Sequence, residues 1–116
     1  MEALKEELKT YLGADYAAAV SRLGGNEAFY LELLFLFFDE ALKERLERAL
    51  AENDLSCARL LAHNIKGTAA NLGLGVIAAE AAEAERALKA GQDARRAFTR
   101  LQEAYAALES CIKQMP

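Results

Sequence analysis

The chain has 116 residues, enough for one hydrophobic core and too few for two, so we expect a single domain over residues 1–116. A net charge of −4, with no local cluster of lysine or arginine, argues against nucleic-acid binding. Alanine, leucine and glutamate are abundant and the only proline is the last residue, which favours long uninterrupted helices.

The same sequence argues against secretion and against a membrane span. The N-terminus is acidic and amphipathic, unlike a signal peptide, and the most apolar stretch, residues 28–38, is short and interrupted by Glu32. Cys57 and Cys111 have neither disulfide-framework nor zinc-motif spacing, so we interpret both as reduced thiols. These features together predict a cytoplasmic protein.

Apolar spacing is helical throughout, which predicts an all-α protein without strands. Asp15, Asn26 and Asp54 are candidate N-caps, and Gly91 is a candidate C-cap. The predicted helices cover approximately residues 2–12, 15–23, 27–52, 55–72, 75–90 and 93–114. Short connections between the four long segments predict an up-down-up-down antiparallel four-helix bundle with one or two short N-terminal helices.

Two apolar segments admit simple structural explanations. Residues 29–38 are apolar on nearly every side, so the helix that contains them is expected to be buried. The alternative is that Phe29, Phe37 or a neighbour stays exposed and forms a docking or dimer surface. The alanine-rich stretch over residues 78–87 is interpreted as a closely packed helix face.

The only histidine of the chain, His63, is predicted to face solvent near the middle of its helix. On a helical wheel one set of residues forms a buried face: Leu55, Ala58, Ala62, Ile65, Ala69 and Leu72. A second set forms an exposed stripe that contains the histidine: Ser56, Arg59, His63, Lys66, Gly67 and Ala70. The imidazole is therefore not expected to be a core side chain.

The residues beside His63 suit a phosphoryl carrier. Lys66 places an ammonium next to the imidazole, because residues three apart are neighbours on a helix. Gly67 leaves open space beside the ring, at a cost of about 1 kcal/mol relative to alanine in a helix interior. We expect the neutral ring to react, since a protonated ring has no lone pair on the attacking nitrogen.

The segment Ala62-His63-Asn64-Ile65-Lys66-Gly67-Thr68-Ala69-Ala70-Asn71-Leu72-Gly73 closely resembles the signature of histidine-containing phosphotransfer (HPt) domains of bacterial two-component signalling. The likeness extends over roughly residues 15–112 in helix order and spacing. Residues 1–14, which include the first predicted helix, lie outside it.

The resemblance implies a role for each matching residue. His63 would be the phosphoacceptor, Lys66 the cation that offsets the phosphoryl charge, and Gly67 the position kept bare for access. Arg59, Asn64 and Ala70 would contact the partner protein. These roles imply a phosphohistidine carrier, and whether such a carrier counts as an enzyme is left open.

The resemblance also implies the partners. Receiver domains of response regulators and a hybrid sensor histidine kinase would exchange phosphoryl groups with this chain. The sequence leaves the oligomeric state open, and we expect a monomer by default. No glycine-rich nucleotide loop and no carboxylate cluster near His63 is evident, so we expect neither ATP binding nor a cofactor in this chain. The partner receiver domain would supply Mg²⁺.

Two other functions remain open from the sequence. The chain could be the phosphotransfer domain of a chemotaxis-type histidine kinase, which shares the histidine motif and takes its phosphoryl group from a kinase domain. It could also be a non-catalytic helical interaction module in which His63 is incidental. A four-helix metal carrier is excluded because such sites draw several histidines and carboxylates from facing helices.

Overall fold

The computed structural model describes residues 2–113. Within that range every regular element is a helix, as the sequence predicts, and there are seven helices. They are α1 (Glu2–Leu12), α2 (Ala14–Arg22), α3 (Glu27–Asp39), α4 (Leu42–Ala51), α5 (Leu55–Asn71), α6 (Gly75–Lys89) and α7 (Arg95–Lys113). No helix of the described residues is long and apolar enough to cross a membrane.

Several predicted helix ends are confirmed by capping contacts. The side chains of Asn26 and Asp54 accept the backbone N–H groups of Phe29 and Cys57 at the starts of α3 and α5. Gly91 follows α6 with φ 70°, the left-handed conformation in which glycine commonly ends a helix. The predicted last residue of α7, residue 114, lies outside the described part of the chain.

The start of α2 differs from the prediction. Gly13, with φ 59°, precedes the first residue Ala14, and no side chain caps this end. Asp15 therefore lies inside the first turn, where its negative charge interacts favourably with the helix dipole. The prediction of Asp15 as the N-cap is wrong.

The predicted helix over residues 27–52 is divided in two. Ala41 adopts the left-handed conformation, with φ 54° and ψ 37°, between α3 and α4. In an unbroken helix Arg45 and Arg48 would follow Phe37 on the core side. The break shifts the helical phase, and the residues that α4 buries are instead Leu42, Leu46 and Ala49.

The core forms where the helices pack side by side. Helix α5 packs most extensively on α6 and also on α4, α6 packs on α7, and α1 contacts both α2 and α7. The largest fully buried side chains are Leu8, Tyr30, Leu31, Leu34, Phe37, Leu46, Ile65, Leu101 and Leu108. Helix α5 is thus held between α4 and α6, and one face of it remains free.

The apolar helix α3 combines both alternatives considered for it. It buries Phe37, which stacks on Tyr105 of α7 with ring centroids 5.5 Å apart. Phe29, Phe35 and Leu36 remain exposed. Burial is the main role of the segment, and the expectation that Phe37 could be exposed is wrong.

Candidate functional site

The middle of α5 presents His63 to solvent, as the sequence predicts, with 59% of its side chain exposed. The other members of the predicted stripe are exposed or half-buried: Ser56, Arg59, Lys66, Gly67 and Ala70. Asn64, the remaining predicted partner contact, is also exposed. The histidine stripe is therefore a continuous solvent-facing surface of one helix.

The predicted buried face of α5 is correct except at its first residue. Ala58, Ala62, Ile65, Ala69 and Leu72 are buried, whereas Leu55 is 48% exposed. Leu55 is the first residue of the helix, directly after the N-cap Asp54. Leu61 is buried as well, although the wheel did not assign it to that face.

The surface of α5 is open at Gly67. A Cβ atom built on Gly67 would have no neighbouring atom within 4 Å other than those of its own helix backbone. The fold therefore does not require glycine here for packing, and Gly67 has ordinary helical geometry. Its effect is to lower the surface one turn beyond His63.

Glu85 of α6 is the residue of the site that the sequence did not identify. Its side chain is only 6% exposed, and its Oε2 atom lies 2.9 Å from Nδ1 of His63. Lys66 donates to Oε1 across 2.6 Å, and Nζ of Lys89 lies 3.4 Å from Oε2. One buried carboxylate thus links the histidine and two lysines.

These donors change the ionisation of Glu85. The hydrogen bond from Lys66 makes the largest contribution, and donation from His63 and Lys89 adds to it, against the opposing effect of burial. Together they lower the pKa of Glu85 from 4.5 to about 2. Glu85 is therefore a carboxylate across the physiological pH range.

An ionised Glu85 determines which nitrogen of the His63 ring carries the proton. A carboxylate only accepts hydrogen bonds, so Nδ1 of the ring must be the donor. In the neutral imidazole the lone pair then belongs to Nε2. The contact also fixes the orientation of the ring, in the way that a carboxylate orients the histidine of a catalytic triad.

The alanine-rich face of α6 brings Glu85 to this position. Ala81 and Ala84 are buried within one turn of Glu85, and such small side chains allow two helices to approach closely. A signal for Glu85 was present in the sequence, because it follows Ile77 and Ala81 at helical spacing on an otherwise apolar face. A charged residue on such a face needs a partner.

The C-terminus of α5 is anchored by residues from the N-terminal part of the chain. Arg22 of α2 donates to the carbonyls of Ala70 and Asn71 across 3.1 and 3.0 Å. The hydroxyl of Tyr30 donates to the buried carbonyl of Leu72 across 2.6 Å. These donors satisfy carbonyl groups that the end of a helix leaves free.

Gly73 completes this anchor. Its φ is 73°, and a Cβ atom there would lie 2.7 Å from the backbone oxygen of Asp15. Glycine is therefore required both for the backbone conformation and for the close approach of α2. The Asn71-Leu72-Gly73 ending of the signature has a structural role, in contrast to Gly67.

The described residues contain no group of three or more His, Cys, Asp or Glu side chains that could hold a metal ion. Cys57 and Cys111 are both free thiols, the first exposed and the second buried. The ionisable groups linked to His63 are the carboxylate of Glu85 and, through it, the ammonium groups of Lys66 and Lys89. The arrangement is suited to an anion on the exposed nitrogen of the ring.

Comparison with known families agrees with this chemistry. A family model described as the Hpt domain matches residues 32–112, which include α4 to α6 and most of α3 and α7. The chain therefore belongs to the Hpt domain family, whose members transfer phosphoryl groups through a histidine in phosphorelays. A search of curated proteins and a search of solved structures gave no match.

Proposed function

We propose that this chain is a phosphorelay intermediate that accepts a phosphoryl group on His63 from a receiver-domain aspartate and passes it to a second receiver domain. The observation that supports this most directly is the exposed imidazole whose Nδ1 is engaged by a buried carboxylate, so that Nε2 has a free lone pair. The surrounding architecture would be a single up-down-up-down antiparallel four-helix bundle.

The proposed transfer follows from the geometry of the ring. Nε2 attacks phosphorus and forms the N–P bond, while the bond from phosphorus to the aspartate oxygen breaks and its electron pair returns to that oxygen. The ring keeps the proton on Nδ1 and gains positive charge, which the carboxylate of Glu85 offsets. Protonation of Nε2 would stop the reaction by consuming the lone pair.

The neighbouring residues have complementary proposed roles. Lys66, anchored on Glu85, would offset the charge of the phosphoryl group, and Gly67 would keep the surface clear for the partner's phosphorylated aspartate. Arg59, Asn64 and Ala70 would contact that partner, and all three are exposed on α5. The receiver domain would supply the Mg²⁺ ion.

Hpt domains interact with receiver domains and kinases. For this chain we propose receiver domains and a hybrid sensor histidine kinase as partners, a cytoplasmic location and a monomeric state. Under this proposal the chain does not bind ATP, because it receives its phosphoryl group already activated on an aspartate.

The proposal is tested with purified receiver domains from the source organism, each carrying labelled phosphate on its aspartate. The wild-type chain should acquire a phosphate that is labile in acid and stable in base, as expected for phosphohistidine. His63→Gln should remain unlabelled, although its circular dichroism is unchanged. Labelling of the variant, or no labelling of the wild type by any receiver domain, would contradict the proposed function.

A further inference from the structure

Lys89 is a second lysine at the buried carboxylate of Glu85. Its Nζ lies 3.4 Å from Oε2 of Glu85, the same oxygen that lies 2.9 Å from Nδ1 of His63. Because both atoms lie close to the same oxygen, Nζ of Lys89 also lies near Nδ1 of His63. Lys89 approaches the ring from α6, whereas Lys66 approaches it from α5.

Before any phosphoryl group is present, the charges of Glu85, Lys66 and Lys89 do not cancel. Glu85 contributes one negative charge, and the ammonium groups of Lys66 and Lys89 contribute two positive charges. A phosphoryl group near pH 7 carries about −1.5 to −2. The excess positive charge around Glu85 thus has the sign that a phosphoryl group on the ring requires.

The two lysines differ in how firmly Glu85 holds them. Lys66 is 2.6 Å from the carboxylate and 37% exposed, whereas Lys89 is 3.4 Å away and 59% exposed. A long and exposed ion pair contributes little free energy, so Lys89 can leave Glu85 at small cost. Its flexible side chain of four methylene groups permits that movement.

From these contacts we propose that Lys89 is a second phosphoryl-binding cation of the site. Once Nε2 of His63 carries the phosphoryl group, Nζ of Lys89 moves from Oε2 of Glu85 to a phosphoryl oxygen and shares the dianion with Lys66. Lys89 forms no covalent bond and gives up no proton in this step. The inference rests on the proposed phosphorylation of His63.

The test uses phosphoramidate, a small donor that needs no partner protein. Nε2 attacks the phosphorus of the form whose nitrogen is protonated, the N–P bond of the donor breaks, and ammonia leaves with the electron pair. The ionisation of the phosphoryl group on His63 is then followed by ³¹P NMR as a function of pH. Lys89→Gln should raise the pKa of the phosphoryl group by about half a pH unit, because a nearby cation favours the dianion.

A matched control is available on the same helix. Arg86→Gln removes the same charge from an exposed residue whose guanidinium binds Glu83 instead of Glu85. This variant should leave the ³¹P titration close to that of the wild type, and Lys89→Arg should restore it. Equal shifts for Lys89→Gln and Arg86→Gln would overturn the inference, because the effect would then be one of general charge.

Transfer from a phosphorylated receiver domain provides a second readout. Lys89→Gln should move the equilibrium toward the phosphorylated receiver by about threefold, while Arg86→Gln should not. If no receiver domain phosphorylates the chain, the proposed relay fails, but the titration of chemically phosphorylated His63 still decides the role of Lys89. The failure of one proposal is thereby distinguished from failure of the other.

Discussion

The carboxylate of Glu85 connects α6 to the solvent-facing side of α5. It is nearly buried, yet all three of its hydrogen-bonding or ion-pairing partners are partly exposed: His63, Lys66 and Lys89. A buried charge without compensating partners is costly, and the closest partners of Glu85 are Lys66 and His63, at 2.6 and 2.9 Å. Glu85 should therefore affect both the reactivity of His63 and the stability of the fold.

The stability of the wild type should depend on pH through Glu85. Folding lowers the pKa of Glu85 from 4.5 to about 2, so its contribution is fully present above pH 4.5 and is lost as pH falls toward 2. At neutral pH this contribution is roughly 3 kcal/mol at most. Urea denaturation of the wild type and Glu85→Gln between pH 2 and 7 would measure it.

The stability difference between these two proteins should narrow below pH 4.5 and nearly vanish near pH 2. Glu103→Gln, at an exposed position of α7, serves as the control for loss of a carboxylate. A difference that stays constant over the whole pH range would show that Glu85 is not stabilised as a carboxylate by its neighbours.

Gly67 should be dispensable for folding and necessary for transfer. Gly67→Leu places a good helix former where an added Cβ meets no atom, so the free energy of unfolding should rise by about 0.5–1 kcal/mol. The larger side chain should hinder the approach of a receiver domain to His63 and slow transfer on the order of 100-fold. Thermal denaturation and transfer kinetics measure the two effects.

Two alanine variants serve as controls for Gly67→Leu. Gly67→Ala should stabilise the helix with a smaller loss of transfer, whereas Gly73→Ala should destabilise the protein because its Cβ would clash with the backbone of Asp15. Unimpaired transfer by Gly67→Leu would remove the steric explanation of this glycine.

The placement of single side chains was predictable from the sequence only where it depends on one helix. The exposed side of α5 follows from its own periodicity, so His63, Lys66 and Gly67 could be placed correctly. Glu85 depends on the register between α5 and α6, which a single sequence pattern does not specify. The side chains that contact Glu85 were therefore not predictable, even though the sequence placed Glu85 on an apolar helix face.

At the scale of helices, the ends of α5 are fixed by different parts of the chain. Its first turn is capped by the adjoining Asp54, a local contact that the sequence reveals. Its last turn is held by Arg22 and Tyr30, which lie more than 40 residues earlier. The sequence could not reveal this second kind of contact, because it depends on tertiary packing.

Tyr30→Phe should weaken the anchor at the end of α5. The variant leaves the buried carbonyl of Leu72 without its hydroxyl donor, at an expected cost of about 1–3 kcal/mol in the free energy of unfolding. Amide hydrogen exchange in the last turn of α5 should accelerate as well. Urea denaturation and exchange measured by NMR would test both expectations.

Tyr11→Phe provides the control, because it removes a hydroxyl group from an exposed tyrosine. It should change the free energy of unfolding by less than about 0.5 kcal/mol. Equal effects of the two substitutions would mean that the hydrogen bond from Tyr30 contributes no specific stability.

The break between α3 and α4 shows what periodicity alone misses. Residues on either side of Ala41 are good helix formers, so no local signal ends the helix there. The left-handed conformation of Ala41 is accepted because it turns Leu42 and Leu46 into the core. Burial of leucine side chains in the core thus outweighs the tendency of the local sequence to continue the helix.

At the scale of the whole molecule, the N-terminal helix is part of the core although it lies outside the family match. Leu8 of α1 is completely buried, Leu4 is nearly so, and α1 packs on α7. The all-helical architecture could be predicted from composition and spacing. The packing partner of α1 could not, since many arrangements bury the same two leucines.

Leu8→Ala should lower the free energy of unfolding by about 2–5 kcal/mol, because it leaves a cavity between α1 and the rest of the core. At a temperature where the variant is still folded, phosphotransfer should proceed near the wild-type rate, because Leu8 is a core residue and not part of the site formed by His63, Lys66 and Glu85. Denaturation curves and transfer assays on the same samples provide both values.

Thr10→Ala, at an exposed position of the same helix, should leave stability within about 0.5 kcal/mol of the wild type. If Leu8→Ala changed the free energy of unfolding as little as Thr10→Ala, α1 would contribute little to the stability of the fold. If Leu8→Ala abolished transfer while the protein stayed folded, the first helix would have a direct part in partner binding.

The hydrogen bonds that hold the end of α5, donated by Arg22 and Tyr30, have a practical consequence for the engineering of such domains. A fragment trimmed to residues 32–112 would retain His63, Lys66 and Glu85 but lose both donors that hold the final turn. In a chimeric signalling protein, that fragment would present His63 on a helix whose last turn is no longer held in place. The unit to be transferred in engineering therefore begins before α2, upstream of residue 32, where the match to the family model starts.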